Sequence, residues 1–449
     1  VAYRGGNWDN GVQAGVFALN LNNTRSNVNT NIGFRAALPE TSEKVAAYGR
    51  LSRAQAKEPR SLSRRLVRPA KNKKRLFRQV GNKSRKQAQV ERRMKMRTYK
   101  NLYPQIYDFQ NLYKAYLKAR RGHRFEHEVL IFTNNLESEL IKLQNELIWK
   151  THKTGPYRSF YVNDPKTRLV AALPFRDRVL QHALCNVIEP LFERKFIYDS
   201  YACRKGKGTH AGADRVTEFL RRATRLWPKP YCLKCDISQY FPSVRHNTLL
   251  AIIRRTIACE DTLWLIQEIL SSWVDTNDPD PRGLPIGNLT SQLWANVYLD
   301  QLDHFIKEVL RVKFYVRYMD DFVIIGGNKA ELWQIKREVE TFLDDKLGLH
   351  LNGKTGIFPI SHGVDFLGYR IWPDHRLLRK RSTKRIKRAL RHFQKLYSQG
   401  KIGFDRINAT VQSWLGHAKH ADSFGFRKKL FDTVAFVRGE KDEVERFLE

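Results

Sequence analysis

Two adjacent aspartates, Asp320 and Asp321, sit inside FYVRYMDDFVII, residues 314–325, between two runs of β-branched and aromatic residues. That pattern predicts a hairpin with Met319-Asp320 at its tip. Neighbouring ionised carboxylates repel and resist leaving water, so the arrangement is costly unless a cation offsets it. Asp344-Asp345, the same dipeptide at the end of a predicted helix over 330–346, is the internal contrast, because there both acids can face water. A further carboxylate, Asp236, closes an apolar strand in CLKCDISQYFPSV, 232–244, just ahead of the aromatic pair Tyr240-Phe241. Alone, an aspartate at a strand end is most often a turn former. Beside a second acidic strand it gains another use. Carboxylate oxygens bind hard divalent cations, and two such ions about 4 Å apart clamp the attacking and leaving oxygens of a phosphoryl transfer.

The charge balance names a partner for that chemistry. In 449 residues, 81 Lys+Arg stand against 45 Asp+Glu, a formal net charge of +36. An excess of that size attracts polyanions, nucleic acid first among them. A membrane-surface role would call for an amphipathic or lipidated anchor, or an apolar run long enough to span a bilayer, and the sequence offers none. Acids and polyanion together point to nucleotidyl transfer or phosphodiester cleavage. Five cysteines, an odd number with no signal peptide, fit a reducing cytosol and a cytoplasmic location. Cys232 and Cys235 form a C-x-x-C, but they lie on a predicted strand and no second pair completes a zinc site.

Helical apolar spacing appears at 136–149 and 178–192, and again over 330–346 with Leu332, Ile335, Val339 and Phe342 on one face. Short apolar strands bounded by turn residues appear at 231–237, 314–325 and 364–371. From Leu377 to Phe436 the chain is basic and helical in texture, with interleaved aromatics. Strands and helices mixed without strict alternation argue for an α+β fold. The front of the chain is different. Residues 1–50 are rich in Asn and Gly, and Pro59 to Val90 holds twelve Lys/Arg and no acid. Such a block repels itself and cannot build a core, so a poorly structured N-terminal extension is expected.

The motifs resemble the reverse transcriptases. Tyr318-Met319-Asp320-Asp321 matches their YxDD box, and Asp236-Ile237 with Phe241 matches their first palm motif. The similarity runs from about 97 to 436 and takes in YVNDPKTRLVAALPFRDRVLQHAL (161–184), SYACRKGKGTHAG (200–212), the GKT turn at 353–355 and VDFLGYRI (364–371). It implies a right-hand polymerase: fingers over 97–230, a palm with an antiparallel sheet over 231–375, and a basic helical thumb over 376–449. It also implies roles. Asp236 and Asp320 would ligate two Mg²⁺ ions with the Ile237 carbonyl, and Asp321 would complete the acid triad. Lys166 and Arg168 would meet the triphosphate, and Phe241 would exclude a ribonucleotide 2′-OH. Lys354 would protonate the leaving pyrophosphate, and Phe366, Leu367, Gly368 and Tyr369 would form the primer grip. Template RNA, RNA–DNA duplex and dNTPs are the implied partners.

One stretch narrows the resemblance. Group II intron enzymes and most bacterial relatives carry Q-G-x-x-x-S-P against the incoming base pair. Here GLPIGNLTSQ, 283–292, places Ile286 at the Gln, keeps Gly287, and places Gln292 at the Pro. This I-G-x-x-x-S-Q form is similar to the reverse transcriptases of diversity-generating retroelements, which copy a template-repeat RNA, misincorporate opposite adenine and replace a variable region in a target gene. They work with a small basic oligomeric accessory protein, and one is expected here. Losing a polar contact at the nascent pair weakens rejection of wrong partners. Asn codons begin with two adenines, and 4–35 resembles the variable end of the lectin-like targets of these elements. Residues 1–50 are therefore expected to be a translated template repeat, 51–96 a basic linker, and Met94 or Met96 a natural start. The alternatives are a group II intron-like reverse transcriptase with maturase duties, and a non-catalytic RNA-binding protein that keeps the polymerase fold.

Overall fold

The computed structural model describes residues 98–163, 167–274 and 278–438. The segments 1–50 and 51–96, with Met94 and Met96, lie outside the described residues, as does Lys166. Four helices come first: α1 (Tyr103–Tyr107), α2 (Phe109–Ala119), α3 (His127–Asn134) and α4 (Leu136–Ile148). In α2, Leu112, Ala115, Tyr116 and Ala119 recur at helical spacing and are buried. Its first turn is capped by Asp108, whose carboxylate accepts from the Asn111 amide at 3.0 Å. An antiparallel ribbon follows, β1 (Arg158–Asn163) and β2 (Thr167–Ala172), with Tyr161 opposite Leu169 and Val162 opposite Arg168. The long helix α5 (Phe175–Glu193) starts directly after Pro174, ahead of the predicted 178, and buries eleven side chains, packing against α1–α3 and the segment 289–304.

The central sheet is antiparallel, in the order β4-β5-β3-β6, from β3 (Tyr231–Asp236), β4 (Phe314–Tyr318), β5 (Asp321–Gly326) and β6 (Gly356–Pro359). Helix α6 (Thr209–Leu226) covers one face, with the Phe219 ring 5.2 Å from that of Phe314. The chain then passes through α7 (Tyr240–Ser243), α8 (His246–Arg254) and α9 (Glu260–Ser271). The other face is covered by α10 (Leu289–His304) and α11 (Lys329–Phe342). Strand residues alternate between faces. Lys234, Asp236, Tyr318 and Asp321 therefore share the α6 face, while Tyr315, Arg317 and Phe322 point to α10.

Two predicted boundaries move. Helix α11 ends at Phe342 and continues as one wider, π-type turn over Leu343–Leu347, closed by Gly348 at φ +60°. Asp344 and Asp345 fall in that turn and are exposed, the solvated pair expected. Leu377 was expected in a helix but lies in a strand, β9 (Arg376–Leu378), which joins β7 (Val364–Phe366) and β8 (Tyr369–Ile371) in a small antiparallel sheet. The reason is the WPDH turn, in which the Trp372 amide donates to the His375 carbonyl at 2.9 Å and sends the chain back. Beyond it, α12 (Lys380–Ser398), α13 (Phe404–Ala418) and α14 (Phe424–Asp432) enclose a core of their own, Ile386, Leu390 and Leu430 with Trp414, Phe426 and Phe431 against them.

Candidate active site

Backbone pairing brings the three acids together. Asp236, the last residue of β3, stands directly opposite Asp321, the first of β5. Opposed residues on antiparallel strands have Cα atoms roughly 5 Å apart. Asp320 lies in the two-residue turn from β4 to β5, and its carbonyl accepts from the Ile237 amide at 3.2 Å. Tight hairpin turns need a positive φ. Here Met319 supplies it at +56°, with its side chain buried. Asp236 is held from a third side: Asn352 donates from its amide to the Asp236 carbonyl at 2.7 Å and from Nδ2 to Oδ2 at 3.2 Å.

Among the described residues no three His, Cys, Asp or Glu side chains close round one point as a finished metal cage. The chemistry of the donors nevertheless fits a divalent cation. They are all oxygens, and Asp321 Oδ1 is buried with no hydrogen-bond partner. Burial, and after it the negative charges of Asp236 and Asp320, push the Asp321 carboxyl up to about 7, against the pull of Lys234. Lys234 shares this face, its Nζ 4.0 Å from Asp321 Oδ2 and 2.8 Å from the Asp365 carbonyl, to which it donates. A cation would relieve both the orphaned oxygen and the carboxylate repulsion.

The other expected site residues lie on three sides. Arg168 is half-buried on β2. That ribbon is tied to the 283–292 segment, for the Ala171 amide donates to the Ile286 carbonyl at 2.8 Å. Gly287 follows at φ +130°, where a Cβ would stand 2.5 Å from the Ala171 carbonyl oxygen, so only glycine fits. The Ile286 side chain packs partly buried against the main core, and Gln292 is half-buried in the first turns of α10. Phe241 is 6% exposed on α7, beside Tyr240 at a ring distance of 5.6 Å. Lys354 is exposed in a tight turn whose amide bonds Asn352 Oδ1 at 3.1 Å. Asn352 thus joins the Lys354 turn to Asp236.

Phe366 to Tyr369 form the β7–β8 turn, with Leu367 at φ +53° and Gly368 at +88°. Its tip enters a polar nest. The Tyr369 hydroxyl lies 3.0 Å from Nδ1 of His210 and of His417 and donates to the His417 carbonyl at 2.9 Å. The His417 ring stacks on Tyr369 at 4.4 Å, and the His420 ring on His210 at 3.7 Å. Residues 152–371, which carry all three acids and this turn, match the family model "Reverse transcriptase (RNA-dependent DNA polymerase)". Over those residues the chain is similar to reverse transcriptase domains.

Relatives include Protein YkfC of Escherichia coli (strain K12), 28% identical over 285 residues, covering 55% of this chain and 73% of that protein. Group II intron-encoded protein LtrA of Lactococcus lactis subsp. cremoris is 25% identical over 403 residues, covering 73% of this chain. The chain spans only 62% of LtrA's own length. Among solved structures, apo telomerase from Candida Tropicalis aligns with a TM-score of 0.40 and 12% identity, over 59% of this chain and 57% of that one. The reverse transcriptase match ends at Ile371, so α12–α14 lie beyond it. No described helix is long and apolar enough to cross a membrane. Within the matched stretch, Lys234 and Asn352 touch the acids and are not named by the motifs. Only Lys234 had a visible signal, two residues before Asp236 and therefore on its face.

Proposed function

We propose that the chain is an RNA-templated DNA polymerase that extends a primer by two-metal nucleotidyl transfer. The observation that carries this reading is the meeting of Asp236, Asp320 and Asp321 at one end of adjacent strands, inside the stretch that matches the reverse transcriptase family. Asp236 and Asp320, with the Ile237 carbonyl, would hold two Mg²⁺ ions, and Asp321 would complete the set. When bound, such ions polarise the primer 3′-OH and the leaving oxygen and neutralise charge that develops between them. Arg168, together with Lys166, holds the triphosphate oxygens by charge-assisted hydrogen bonds. Phe241 walls off the sugar's 2′ position, Lys354 supplies a proton to the departing pyrophosphate, and the 366–369 turn holds the primer end.

Template RNA and the RNA–DNA duplex run along the C-terminal helices. In α12 the apolar Ile386 and Leu390 face the small core, while Lys384, Lys387, Arg388, Arg391 and Lys395 are exposed. The I-G-x-x-x-S-Q stretch, with Ile286 fixed by its carbonyl against β2, supports the finer reading: synthesis that is error-prone at template adenines, copying a template-repeat RNA with the help of a small basic oligomeric accessory protein. The likeness to LtrA over 73% of this chain supports a second reading, a group II intron-like reverse transcriptase and maturase. Primer extension on an RNA template with Mg²⁺ and dNTPs tests the polymerase, with Asp320→Ala as control. Equal incorporation by both proteins overturns it. Sequencing the products separates the two readings, since errors spread evenly over the four template bases remove the adenine-directed one.

A further inference from the structure

Arg317 precedes Tyr318 on β4 and points away from the acids, toward α10, where its side chain is completely buried. A guanidinium has five N–H groups, and here each has an acceptor. Nε and Nη2 donate to the two Asp303 oxygens at 2.7 and 2.6 Å. Nη2 also donates to Ser200 Oγ at 3.1 Å. Nη1 donates to Asn296 Oδ1 at 3.3 Å and to the Met319 carbonyl at 3.1 Å. Asp303 is equally buried and accepts a further bond from the Tyr315 hydroxyl at 2.6 Å.

Stability is a poor account of this arrangement. Taking two charges wholly out of water consumes most of what their attraction returns, and well-packed apolar replacements are often as stable. The outward bonds say more. Met319 adopts a left-handed conformation, φ +56°, that non-glycine residues occupy at a cost. The peptide that follows it carries Asp320. Its carbonyl points down through the sheet to Nη1, so a flip of that peptide breaks the bond and turns Asp320 to a new direction. Arg317 also pairs through its backbone with the neighbouring segment, its amide to the Asp199 carbonyl and its carbonyl to the Tyr201 amide, both at 3.0 Å.

We propose that Arg317, anchored on Asp303, is a positioning residue that grips the Met319 carbonyl from behind the sheet and fixes the direction in which the turn aims the Asp320 carboxylate. The proposal rests on the polymerase reading given above. Lysine cannot do the same work. Its ammonium is a point donor, whereas the planar fork of arginine spans Asp303 and the Met319 carbonyl at once.

The test measures primer extension by the full chain, wild type against Arg317→Lys, Ser200→Ala and Tyr315→Phe. Ser200→Ala removes one bond from the same guanidinium and Tyr315→Phe one from the same carboxylate, both leaving the turn contact in place. Arg317→Lys should keep template–primer Kd and dNTP KM within about 3-fold, lower kcat by about 100-fold, the cost of a misplaced reacting group, and raise the Mg²⁺ concentration for half-maximal rate. The two controls should keep kcat within about 3-fold at matched Tm loss. The triple variant Arg317→Met/Asp303→Leu/Tyr315→Phe replaces the buried ions with apolar side chains. It removes the desolvation cost of the charges but leaves the Asn296 and Met319 oxygens without a donor, so it should still unfold cooperatively and lose kcat by about 100-fold. A kcat loss that merely follows Tm across the series, or a triple variant with full kcat, overturns the proposal. A wild type that extends no primer overturns the polymerase reading, and this one with it.

Discussion

Asp321 offers the sharpest measurement, because its carboxyl is penalised by the very neighbours that would make it useful. Burial and the charges of Asp236 and Asp320 lift it from 3.8 to about 7. A carboxyl raised in the folded state favours folding only while protonated. The penalty on the metal-free protein is absent below about pH 4, grows between about 4 and 7, and is complete above 7. In full that lift corresponds to about 4 kcal/mol, but the side chain is 27% exposed and solvent screens part of it, leaving about 2 kcal/mol at pH 8. Asp321→Asn removes the charge and keeps the shape. In EDTA it should raise Tm at pH 8 by about 3–6 °C and by clearly less at pH 5. Mg²⁺ should raise the wild-type Tm at pH 8 and narrow the gap to the variant, since a ligand that binds only the folded state stabilises it. Differential scanning calorimetry at the two pH values, with and without Mg²⁺, is the assay. A variant less stable than wild type at pH 8, or a gain equal at both pH values, refutes the reasoning.

Burial, and after it the charge of neighbouring imidazoles, pushes His210 and His417 down to about 4, while burial and the Lys419 charge push His420 down as well. Stability from these neutral rings is therefore complete above about pH 6.5 and lost as pH falls toward 4, so His417→Phe should flatten that part of a Tm–pH curve. Gly287→Ala forces a Cβ into the Ala171 carbonyl at a left-handed φ. It should cost about 2–4 kcal/mol in urea unfolding and slow primer extension at least 10-fold. Replacing Lys384, Lys387 and Arg388 with Gln should weaken binding of a template–primer alike for any sequence. It should also reduce the slope of log K against log salt by about 2–3, measured by fluorescence anisotropy.

Sequence pattern reached the elements whose periodicity is their own. The hairpin over 314–325, strand 231–237 and the helices at 136–149 and 178–192 all lie where the spacing put them, within a few residues. Each is bounded by local chemistry: turn residues, an apolar stripe, a proline. The errors came where a local signal competed with a distant partner. Leu377 has helical neighbours on one side, but the WPDH turn returns it to β8, and pairing Tyr369 with Leu378 outweighs texture. No pattern within 330–346 marks the wider turn at 343–347, because the Phe342 ring is held there by Phe305 of a different segment, stacked at 4.3 Å.

The site divides the same way, and the division has a physical cause. Acids are legible because their cost is local: paired carboxylates between apolar strands call for compensation wherever the strands end up. Their supports are not, because an arginine in a strand reads as an edge or a solvated position until its partner is known. Arg317 is separated from Asp303 by 14 positions and from Ser200 by 117. Nothing in FYVRYMDD reveals that this charge is buried, and an isolated buried guanidinium would be among the least stable groups in the fold. Asp303 offsets that cost here, and the one bond that leads toward the chemistry is the bond to Met319. If evolution had needed only a packed sheet, an apolar side chain at 317 and another at 303 would have served. The charge pair is justified only if the turn's direction matters, and so the activity of an apolar pair at those two positions decides whether the back of the sheet belongs to the active site.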